Sequence, residues 1–424
     1  MTQGNLWLVP GMRTPFSRID GAVSKKRGVE LSSLAVQASL RAAENPRPDL
    51  FVWGTVIPNL HWSNIAREVL IDAGMDQTVP AFSTVLACST SMAGAFEAAG
   101  QLRTGHGELA LVGGVECMSH VQVGLSQGFS DWLRRFGMAR SWKDRFNMLE
   151  RFPVGELRLH RLSVTNRVTG KSMGEHCEEM AKAWNIARDA QDRLALQSHQ
   201  NAVTGQTKGF FDDLIAPVDG AVADTFPRGD TSFERLRRLN PVYDRTSGKG
   251  TITAGNASPL TDGAAALWVA TDAGVSRLPA SAPRVRLVDW EIAALDIFEE
   301  GLLMAPAYAI PRLLSRNGLG LADIALWEIH EAFAAQLLCN VAAIESREFL
   351  RDKAGVDADL GRFPWDRLNP NGGSIALGHP FGATGARILS QAAKELSAMP
   401  SGSRAVVSIC ADGGLGTVAL LEAA

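Results

Sequence analysis

Short apolar segments alternate with alanine-rich segments at both ends of this 424-residue chain, and that alternation constrains the fold more than any other feature. Residues 1–120 and 284–424 both have it, whereas residues 121–250 are more charged and irregular. Strands that alternate with helices predict a layered α/β structure. A chain of this length can also bury more than one hydrophobic core.

The changes of pattern predict three parts. We expect a first α/β half made of residues 1–120 and 251–280, with residues 121–250 inserted into it as a loop domain. Residues 281–424 would form the second α/β half.

Cys88 lies at a predicted junction between a strand and a helix. The preceding segment, Pro80–Ala87, is apolar and β-branched, and the following segment, Ser89–Ala99, is small and helix-forming. The unpaired amides and the positive end of such a helix favour a thiolate. Cys88 is therefore a candidate nucleophile.

His330 repeats this arrangement in the second half of the chain. Ile324–Ile329 is predicted as a strand and Glu331–Ile344 as a helix. The same unit of strand, reactive residue and helix in both halves indicates an internal duplication.

His379 and Cys410 occupy glycine-rich settings. His379 follows the run Asn371–Gly378 and precedes a predicted helix, Thr384–Leu396. Cys410 stands at the end of a predicted strand, Arg404–Ile409, before a glycine-rich turn to a second strand. Glycine in such places permits positive φ and close approach of the backbone.

Two thiols and two imidazoles together suit acyl transfer through a covalent thioester. One cysteine can carry the acyl group, a histidine can ionise it, and the second thiol can move a proton. The remaining cysteines, Cys117, Cys177 and Cys339, are predicted to be small buried apolar residues.

These four settings, in this order, resemble the thiolase family, which makes and breaks the carbon–carbon bond of 3-ketoacyl-CoA. Two more stretches, Arg13–Phe16 and Gly113–Ser119, are similar to the family's first-strand and third-strand motifs. The resemblance implies a thiolase-like α/β fold, in which two βαβαβαββ halves stack as five layers, α/β/α/β/α. It also implies catalytic roles for Cys88, His330, His379 and Cys410.

The same resemblance implies contacts with coenzyme A, which would be a substrate and not a bound cofactor. Met173 would lie near the acyl tail, Ser258 would touch the pantetheine arm, and Arg228 would pack on the nucleotide. The backbone N–H groups of Cys88 and of the Asp412–Gly413 region would form one oxyanion hole. His330 and His379 would form the other.

Three departures from the family pattern matter, and one is the long, basic loop between Ser119 and Lys171. Most thiolases have Asn-Glu-Ala-Phe where this chain has His330-Glu331-Ala332-Phe333. The histidine version resembles the thiolase subunit of fatty-acid oxidation trifunctional complexes, which implies degradation of longer substrates. Asp412 replaces a glycine or alanine, and its carboxylate would oppose an oxyanion unless it points away.

Residues 131–152 combine aromatic side chains at helical spacing with many cations. They are predicted as helix within about 129–150, which Gly137 divides in two. One interpretation is a lid packed on the loop domain. The other is a docking surface for an anionic membrane or a hydratase–dehydrogenase subunit, which requires Trp132 and Trp142 to be exposed.

Three other functions stay open. A short-chain acetoacetyl-CoA thiolase would use the same groups. A ketosynthase-like condensing enzyme also pairs one cysteine with two histidines, although Cys410 argues against it. A non-catalytic acyl-CoA carrier on the same fold is the alternative outside enzymes.

Composition narrows the partners and the compartment. A net charge of −3 gives no reason to expect nucleic acid binding. Five cysteines without C-x-x-C spacing argue against a disulfide framework or a structural zinc site, so no metal is expected. The segment Met1–Asn5 has no signal-peptide or transit-peptide character, and we expect a cytoplasmic protein. The family resemblance implies a homodimer or homotetramer.

Overall fold

The structure is a computed structural model that describes residues 4–160 and 164–424, so Met1, Thr2 and Gln3 of the N-terminal segment lie outside the described residues. The strands are β1 (Leu6–Arg13), β2 (Ser17–Arg18), β3 (Leu50–Gly54), β4 (Ala81–Phe82), β5 (Leu109–Glu116), β6 (Gly124–Leu125), β7 (Leu159–His160), β8 (Thr261–Thr271), β9 (Val285–Ala294), β10 (Leu326–Ile329), β11 (Arg404–Ala411) and β12 (Leu415–Ala423). The helices are α1 (Gly28–Ala42), α2 (Ile65–Asp72), α3 (Thr90–Arg103), α4 (Gln127–Met138), α5 (Trp142–Glu150), α6 (Met173–Ala183), α7 (Arg188–Thr207), α8 (Phe233–Arg237), α9 (Asp272–Val275), α10 (Ala305–Arg316), α11 (Ala334–Ile344), α12 (Arg347–Phe349), α13 (Ser374–Leu377) and α14 (Thr384–Ser397).

Strand pairing repeats in the two halves. In the first half β1 pairs antiparallel with β8, β8 antiparallel with β5, β5 parallel with β3, and β3 parallel with β4. In the second half β9 pairs antiparallel with β12, β12 antiparallel with β11, and β11 parallel with β10. A single parallel bridge between Trp327 of β10 and Leu368 stands where β4 stands in the first half. The predicted duplication and α/β fold are confirmed, and β1 and β9 join the halves into one ten-stranded sheet.

The repeat makes Cys88 equivalent to His379. Cys88 follows β4 and precedes α3, and His379 follows the Leu368 bridge and precedes α14. His330 follows β10, whose counterpart in the first half is β3. The sequence-based match of Cys88 with His330 was therefore wrong, because the equivalent of β4 is reduced to one bridge and leaves no strand pattern to read.

Alternating strand residues face two different cores, which sets the layers. In β11, Val406 lies in a core with α10 and α11, whereas Val407 lies in a central core with α3 and α14. In β5, Leu111 packs toward α1 and α2, whereas Val112 packs into the same central core. The order is α1 and α2, first-half strands, α3 and α14, second-half strands, α10 and α11. This is the predicted α/β/α/β/α arrangement.

The two central helices approach closely because of one glycine. A Cβ atom at Gly385 in α14 would lie 2.3 Å from the backbone nitrogen of Met92 in α3. Helix α14 is buried along nearly its whole length, which is expected of a helix covered on all sides. Cys88 and His379, at the starts of these two helices, are thereby brought together.

Two predicted elements are shorter than expected. Only Ala81–Phe82 of the predicted strand 80–87 forms a β-strand, because Ser83 and Thr84 turn their hydroxyls to Asn64 and Glu97. The helix predicted from Glu331 begins at Ala334. In the segment before it, the chain pairs with residues 256–258 instead.

Residues 127–150 form two helices, as predicted, but the break is not at Gly137. Helix α4 runs through that glycine to Met138, and Ser141 caps α5 by accepting from Asp144 N–H.

Among the described helices, none combines the length and apolar character that crossing a bilayer requires.

Candidate active site

One cavity of about 340 Å³ collects most of the candidate residues. Cys88, His379 and Cys410 line it, and each comes from a different part of the chain. Its volume lies within the range of roughly 300–1,000 Å³ that is typical of ligand pockets. The other lining residues are largely apolar: Val56, Ile57, Leu260, Leu303, Phe333 and Phe381.

The turn before Cys88 is held in an unusual conformation. Ala87 has φ +46°, a left-handed conformation that costs energy in a residue with a Cβ atom. Thr90 holds the turn, because its hydroxyl accepts from Leu86 N–H at 2.9 Å and donates to Ala87 C=O at 2.8 Å. Ser89 is the N-cap of α3, so Cys88 stands two residues before the helix.

His379 is fixed by its backbone and by a hydroxyl. Gly378 has φ +103°, and a Cβ atom there would lie 2.7 Å from Thr261 Cγ2, so the approach requires glycine. His379 N–H donates to Pro259 C=O at 3.0 Å. The ring nitrogen Nδ1 lies 2.7 Å from Thr384 Oγ1, whereas Nε2 is buried with no hydrogen-bond partner among the described residues.

His330 lies behind His379 and does not line the cavity wall. The two ring centroids are 4.2 Å apart. His330 Nδ1 lies 2.7 Å from Ser374 Oγ, and its Nε2 is likewise buried without a partner in the described parts of the chain. The Cys88 sulfur and one ring nitrogen from each histidine lie within 4.8 Å of one another.

That trio offers sulfur and nitrogen donors of the kind that zinc binds. A structural zinc site needs a fourth ligand, and a metal here would occupy both the thiol and the imidazole lone pair. The group is better suited to proton transfer between Cys88 and His379.

Asp412 lies at the cavity wall and is also held in a network. Its carboxylate accepts from Asn166 Nδ2 at 2.8 Å and from Gly413 N–H at 2.6 Å. The backbone N–H of Asp412 and that of Cys88 both face the Cys88 sulfur. The Asp412 carboxylate already accepts the N–H of Gly413, so within the predicted 412–413 region the N–H beside the Cys88 sulfur is that of Asp412.

The thiols and imidazoles of the site are neutral at rest. Burial, and then the nearby Asp412 carboxylate, raise the pKa of Cys88 from 9.0 to about 12. Burial, followed by the Arg387 guanidinium, lowers the pKa of His379 to about 3. The pKa of Cys410 is well above its ordinary value, because of burial and then Cys88. The thiolate expected from the helix end is therefore not the resting state of Cys88.

Met173 and Ser258 line the same cavity, but Arg228 does not. Arg228 lines a second pocket of about 230 Å³ beside His199. Ala257 and Pro259 line that second pocket, on either side of Ser258. The two pockets are therefore neighbours that share one segment of chain.

Sequence analysis missed three residues that hold the histidines. Ser374 and Thr384 bind the two Nδ1 atoms, and Arg387 Nη2 donates to Ser374 Oγ at 2.7 Å. One signal was present, since Arg387 is a charge among small and apolar residues in α14, which is buried along nearly its whole length. The second missed group is Glu331, whose buried carboxylate accepts from Ser198, Asn369 and the N–H of Ile375.

Removing the Asp412 charge should make Cys88 more reactive in the unliganded protein. In Asp412→Asn the pKa of Cys88 falls, so the thiolate fraction at pH 8 rises and iodoacetamide should alkylate Cys88 about 3–10-fold faster. Mass spectrometry of the Cys88 peptide against time measures this rate. Cys117 is an internal control, because the pKa of its thiol is raised by burial and Asp262, not by Asp412. An unchanged Cys88 rate would mean that Asp412 does not control the thiol.

Comparisons with known proteins agree on one family. Residues 6–273 match the family described as "Thiolase, N-terminal domain", and residues 281–423 match "Thiolase, C-terminal domain". The chain is 36% identical over 423 residues to a 3-ketoacyl-CoA thiolase of Aeromonas salmonicida, covering 98% of this chain and 96% of the relative. A 3-ketoacyl-CoA thiolase of Yersinia enterocolitica is 35% identical over 424 residues, with the same coverage.

Solved structures give the same result. Human mitochondrial 3-ketoacyl-CoA thiolase superimposes with a TM-score of 0.80 at 27% identity, covering 100% of both chains. The acetyl-CoA acetyltransferase of Bacillus anthracis also has a TM-score of 0.80, at 28% identity, covering 100% of this chain and 99% of that one.

Proposed function

Because this chain belongs to the thiolase family, we propose that it cleaves 3-ketoacyl-CoA with coenzyme A to give acetyl-CoA and a shortened acyl-CoA, or runs the reverse condensation. It is an acyltransferase that uses CoA as a substrate and no metal. The observation that carries the proposal is the cluster of the Cys88 sulfur with the two imidazoles, in a cavity that Cys410 also lines.

In the first half-reaction, His379 Nε2 takes the proton of Cys88, and the sulfur attacks the 3-keto carbon. A neutral thiol and a neutral imidazole suit this transfer, because the proton moves only as the carbon–sulfur bond forms. The backbone N–H groups of Cys88 and Asp412 stabilise the resulting oxyanion. The bond between C2 and C3 then breaks, and Cys410 protonates C2 of the departing acetyl-CoA enolate.

In the second half-reaction, the Cys410 thiolate takes the proton of incoming CoA, whose sulfur attacks the thioester. Cys88 leaves as a thiolate and recovers its proton from His379.

The enolate oxygen of acetyl-CoA, which forms in the first half-reaction, needs hydrogen-bond donors. The unpartnered Nε2 atoms of His330 and His379 supply them, His330 through a water molecule.

We assign the CoA path to the two neighbouring pockets. Met173 contacts the acyl end, Ser258 the pantetheine arm and Arg228 the nucleotide. The division into residues 1–120 with 251–280, residues 121–250, and residues 281–424 is supported by β6 and β7, which pair with each other and not with the ten-stranded sheet. The inserted part, which carries Met173 and Arg228, is then the CoA-binding domain.

The apolar cavity wall favours 3-ketoacyl chains longer than acetoacetyl-CoA and a degradative role in fatty acid β-oxidation. The test is turnover across a chain-length series of 3-ketoacyl-CoA substrates. A maximum at acetoacetyl-CoA would favour the short-chain alternative, and turnover of malonyl-CoA a ketosynthase. If mass spectrometry shows that acetyl-CoA does not acetylate Cys88, only the carrier function remains.

We propose that helix α5 and the end of α4 form a docking surface for an anionic membrane. Trp142 is 82% exposed, and Phe146 and Leu149 are exposed beside it. Four cations are exposed on the same segment: Arg134, Arg135, Arg140 and Lys143. Trp132 does not belong to this surface, contrary to the requirement set from the sequence. It packs between Phe129, Phe136 and Phe152 inside the helical pair.

Reversing charge on this surface should abolish membrane binding. Arg134→Glu, Arg135→Glu and Lys143→Glu together should remove co-sedimentation with phosphatidylserine vesicles and the accompanying shift of tryptophan fluorescence, while turnover of short substrates is kept. The matched control reverses three exposed cations elsewhere, Arg41, Lys208 and Arg347. An equal loss of vesicle binding in both triple variants would mean that binding depends on the net charge of the protein and not on this surface. Binding to a hydratase–dehydrogenase subunit but not to vesicles would favour the protein partner.

We also propose a homodimer or homotetramer in the cytoplasm. Strand β4 ends the sheet as an unpaired edge, and Val85 beside it is exposed, which favours covering by a second copy. Five free cysteines favour a reducing compartment. Light scattering during size-exclusion chromatography measures the assembly.

A further inference from the structure

The two histidines of the site are each bound at Nδ1 by a hydroxyl, but the two hydroxyls are not equivalent. Thr384 Oγ1 lies 2.9 Å from Pro380 C=O, and a carbonyl oxygen can only accept. The single proton of Thr384 goes to that carbonyl, so its oxygen accepts the proton of His379 Nδ1 at 2.7 Å. His379 therefore presents a bare Nε2 to Cys88, as its role as a base requires.

Ser374 is bound in the opposite sense. Arg387 Nη2 lies 2.7 Å from Ser374 Oγ, and a guanidinium can only donate. Ser374 accepts from Arg387, which leaves the serine proton for His330 Nδ1 at 2.7 Å. The alternative, in which Ser374 accepts from both neighbours, leaves a buried hydroxyl proton with no acceptor among the described residues and is disfavoured.

We infer that Arg387, acting through Ser374, is a positioning residue that holds His330 in the tautomer with its proton on Nε2. His330 then carries a proton on its unpartnered Nε2, while its neighbour His379 carries a lone pair on the same ring atom. Two imidazoles 4.2 Å apart are thereby given opposite functions, one as a donor to the enolate oxygen and one as a base. The role of His330 as a donor to the enolate oxygen rests on the proposed thiolase function. The assignment of its tautomer does not.

Arg387 is well placed for this role. It is almost fully buried, which lowers the pKa of its guanidinium to about 10, while the carboxyl groups of Glu328 and Glu331 act in the opposite direction. Arg387 is therefore still charged at neutral pH. Burial, then His379 and then the Arg387 guanidinium keep the pKa of His330 well below its ordinary value. His330 is therefore a neutral ring, and its tautomer alone decides whether Nε2 donates or accepts.

The direct test is histidine-selective ¹⁵N NMR of the full-length protein, since protonated and bare ring nitrogens have distinct shifts. His330→Gln identifies the His330 signals by their loss. The expected wild-type result is a protonated Nε2 on His330 and a protonated Nδ1 on His379. In Ser374→Ala and in Arg387→Met, a Nδ1-protonated population of His330 should appear. Arg387→Lys, which still donates and cannot accept, should restore the wild-type pattern.

Activity gives a second readout that a purely structural role would not reproduce. Ser374→Ala should lower kcat about tenfold with little change in KM, which is less than the roughly 10²–10³-fold loss typical of deleting an oxyanion donor. Ser390→Ala is the matched control, because Ser390 is a buried serine of the same helix as Arg387 that bonds to Ala266 C=O instead. It should leave the His330 signals and kcat unchanged.

Two outcomes would overturn the inference. One is a wild-type His330 protonated on Nδ1, and the other is a Ser374→Ala protein with wild-type tautomers and kcat. Neither outcome touches the proposed function, which fails only if Cys88 is not acylated and 3-ketoacyl-CoA is not turned over. In that case the tautomer assignment is still decided by the NMR spectra.

Discussion

Cys88→Ser is expected to lower thiolysis of 3-ketoacyl-CoA by at least about 10³-fold while the protein stays folded. The hydroxyl of serine is a far weaker acid than a thiol, and the base beside it is weak. Burial and Arg387 lower the pKa of His379 to about 3, so its imidazole cannot ionise an alcohol to a useful extent. Steady-state turnover and circular dichroism of the variant measure the two quantities.

Cys117→Ser is a closely matched control for that prediction. Cys88 and Cys117 are both half-buried, and burial raises the pKa of both to about 12. Cys117 lies outside the cavity, and its thiol contacts Lys26 C=O. The control should keep wild-type turnover. Substantial thiolysis by Cys88→Ser, or an equal loss in the control, would remove Cys88 from the mechanism.

The charge state of Cys88 is the point on which sequence analysis was furthest from the structure. A helix N-terminus contributes about 0.3–1 kcal/mol toward an anion, and up to about 2 in favourable geometry. The rise in the pKa of Cys88 from 9.0 to about 12 corresponds to about 4 kcal/mol in the opposite direction. Burial and Asp412 therefore outweigh the helix, and neither the depth of burial nor the direction of a carboxylate can be read from local sequence.

The parts of the fold that were predicted are those with a local cause. Strands β11 and β12 follow from runs of apolar residues that are buried on both faces, and α14 follows from an uninterrupted helix-forming segment after Pro380. The start of α11 was misplaced because its cause is distant. Residues 332–334 pair with residues 256–258, and Glu331 binds Ser198 and Asn369.

Local sequence patterns single out the cysteines and histidines that the structure brings together, but not the residues that bind the two histidines. Cys88, His379 and Cys410 stand in recognisable local patterns. Ser374 and Arg387 are 13 residues apart, and Ser374 reaches a histidine 44 residues away. Such contacts depend on the packing of α14 between the two halves. The same limit applies to Trp132 and Trp142. Helical spacing places each tryptophan on an aromatic face of its helix, but it does not show which of the two faces is covered where the helices pack against each other.

Cys410→Ala should stall the enzyme after its first step and leave an acetyl group on Cys88. Transfer from acetyl-CoA to Cys88 uses His379 and the oxyanion donors, and the CoA thiolate is a good enough leaving group to depart without a proton from Cys410. Formation of the carbon–carbon bond, in contrast, needs a base at C2 of the second acetyl-CoA. Cys410 is the other thiol in the cavity, and its pKa, well above the ordinary value, keeps it protonated until substrate binds. We expect condensation and thiolysis to fall by roughly 10²–10⁴-fold, the range typical of losing a positioned acid or base. The acetyl group on Cys88 should be visible by mass spectrometry within minutes of adding acetyl-CoA.

Cys339→Ala, which removes another buried thiol that does not line the cavity, should turn over normally and show no such accumulation. Loss of acetylation in Cys410→Ala would instead make Cys410 part of the first step, and unimpaired turnover would assign the proton transfer at C2 to another group.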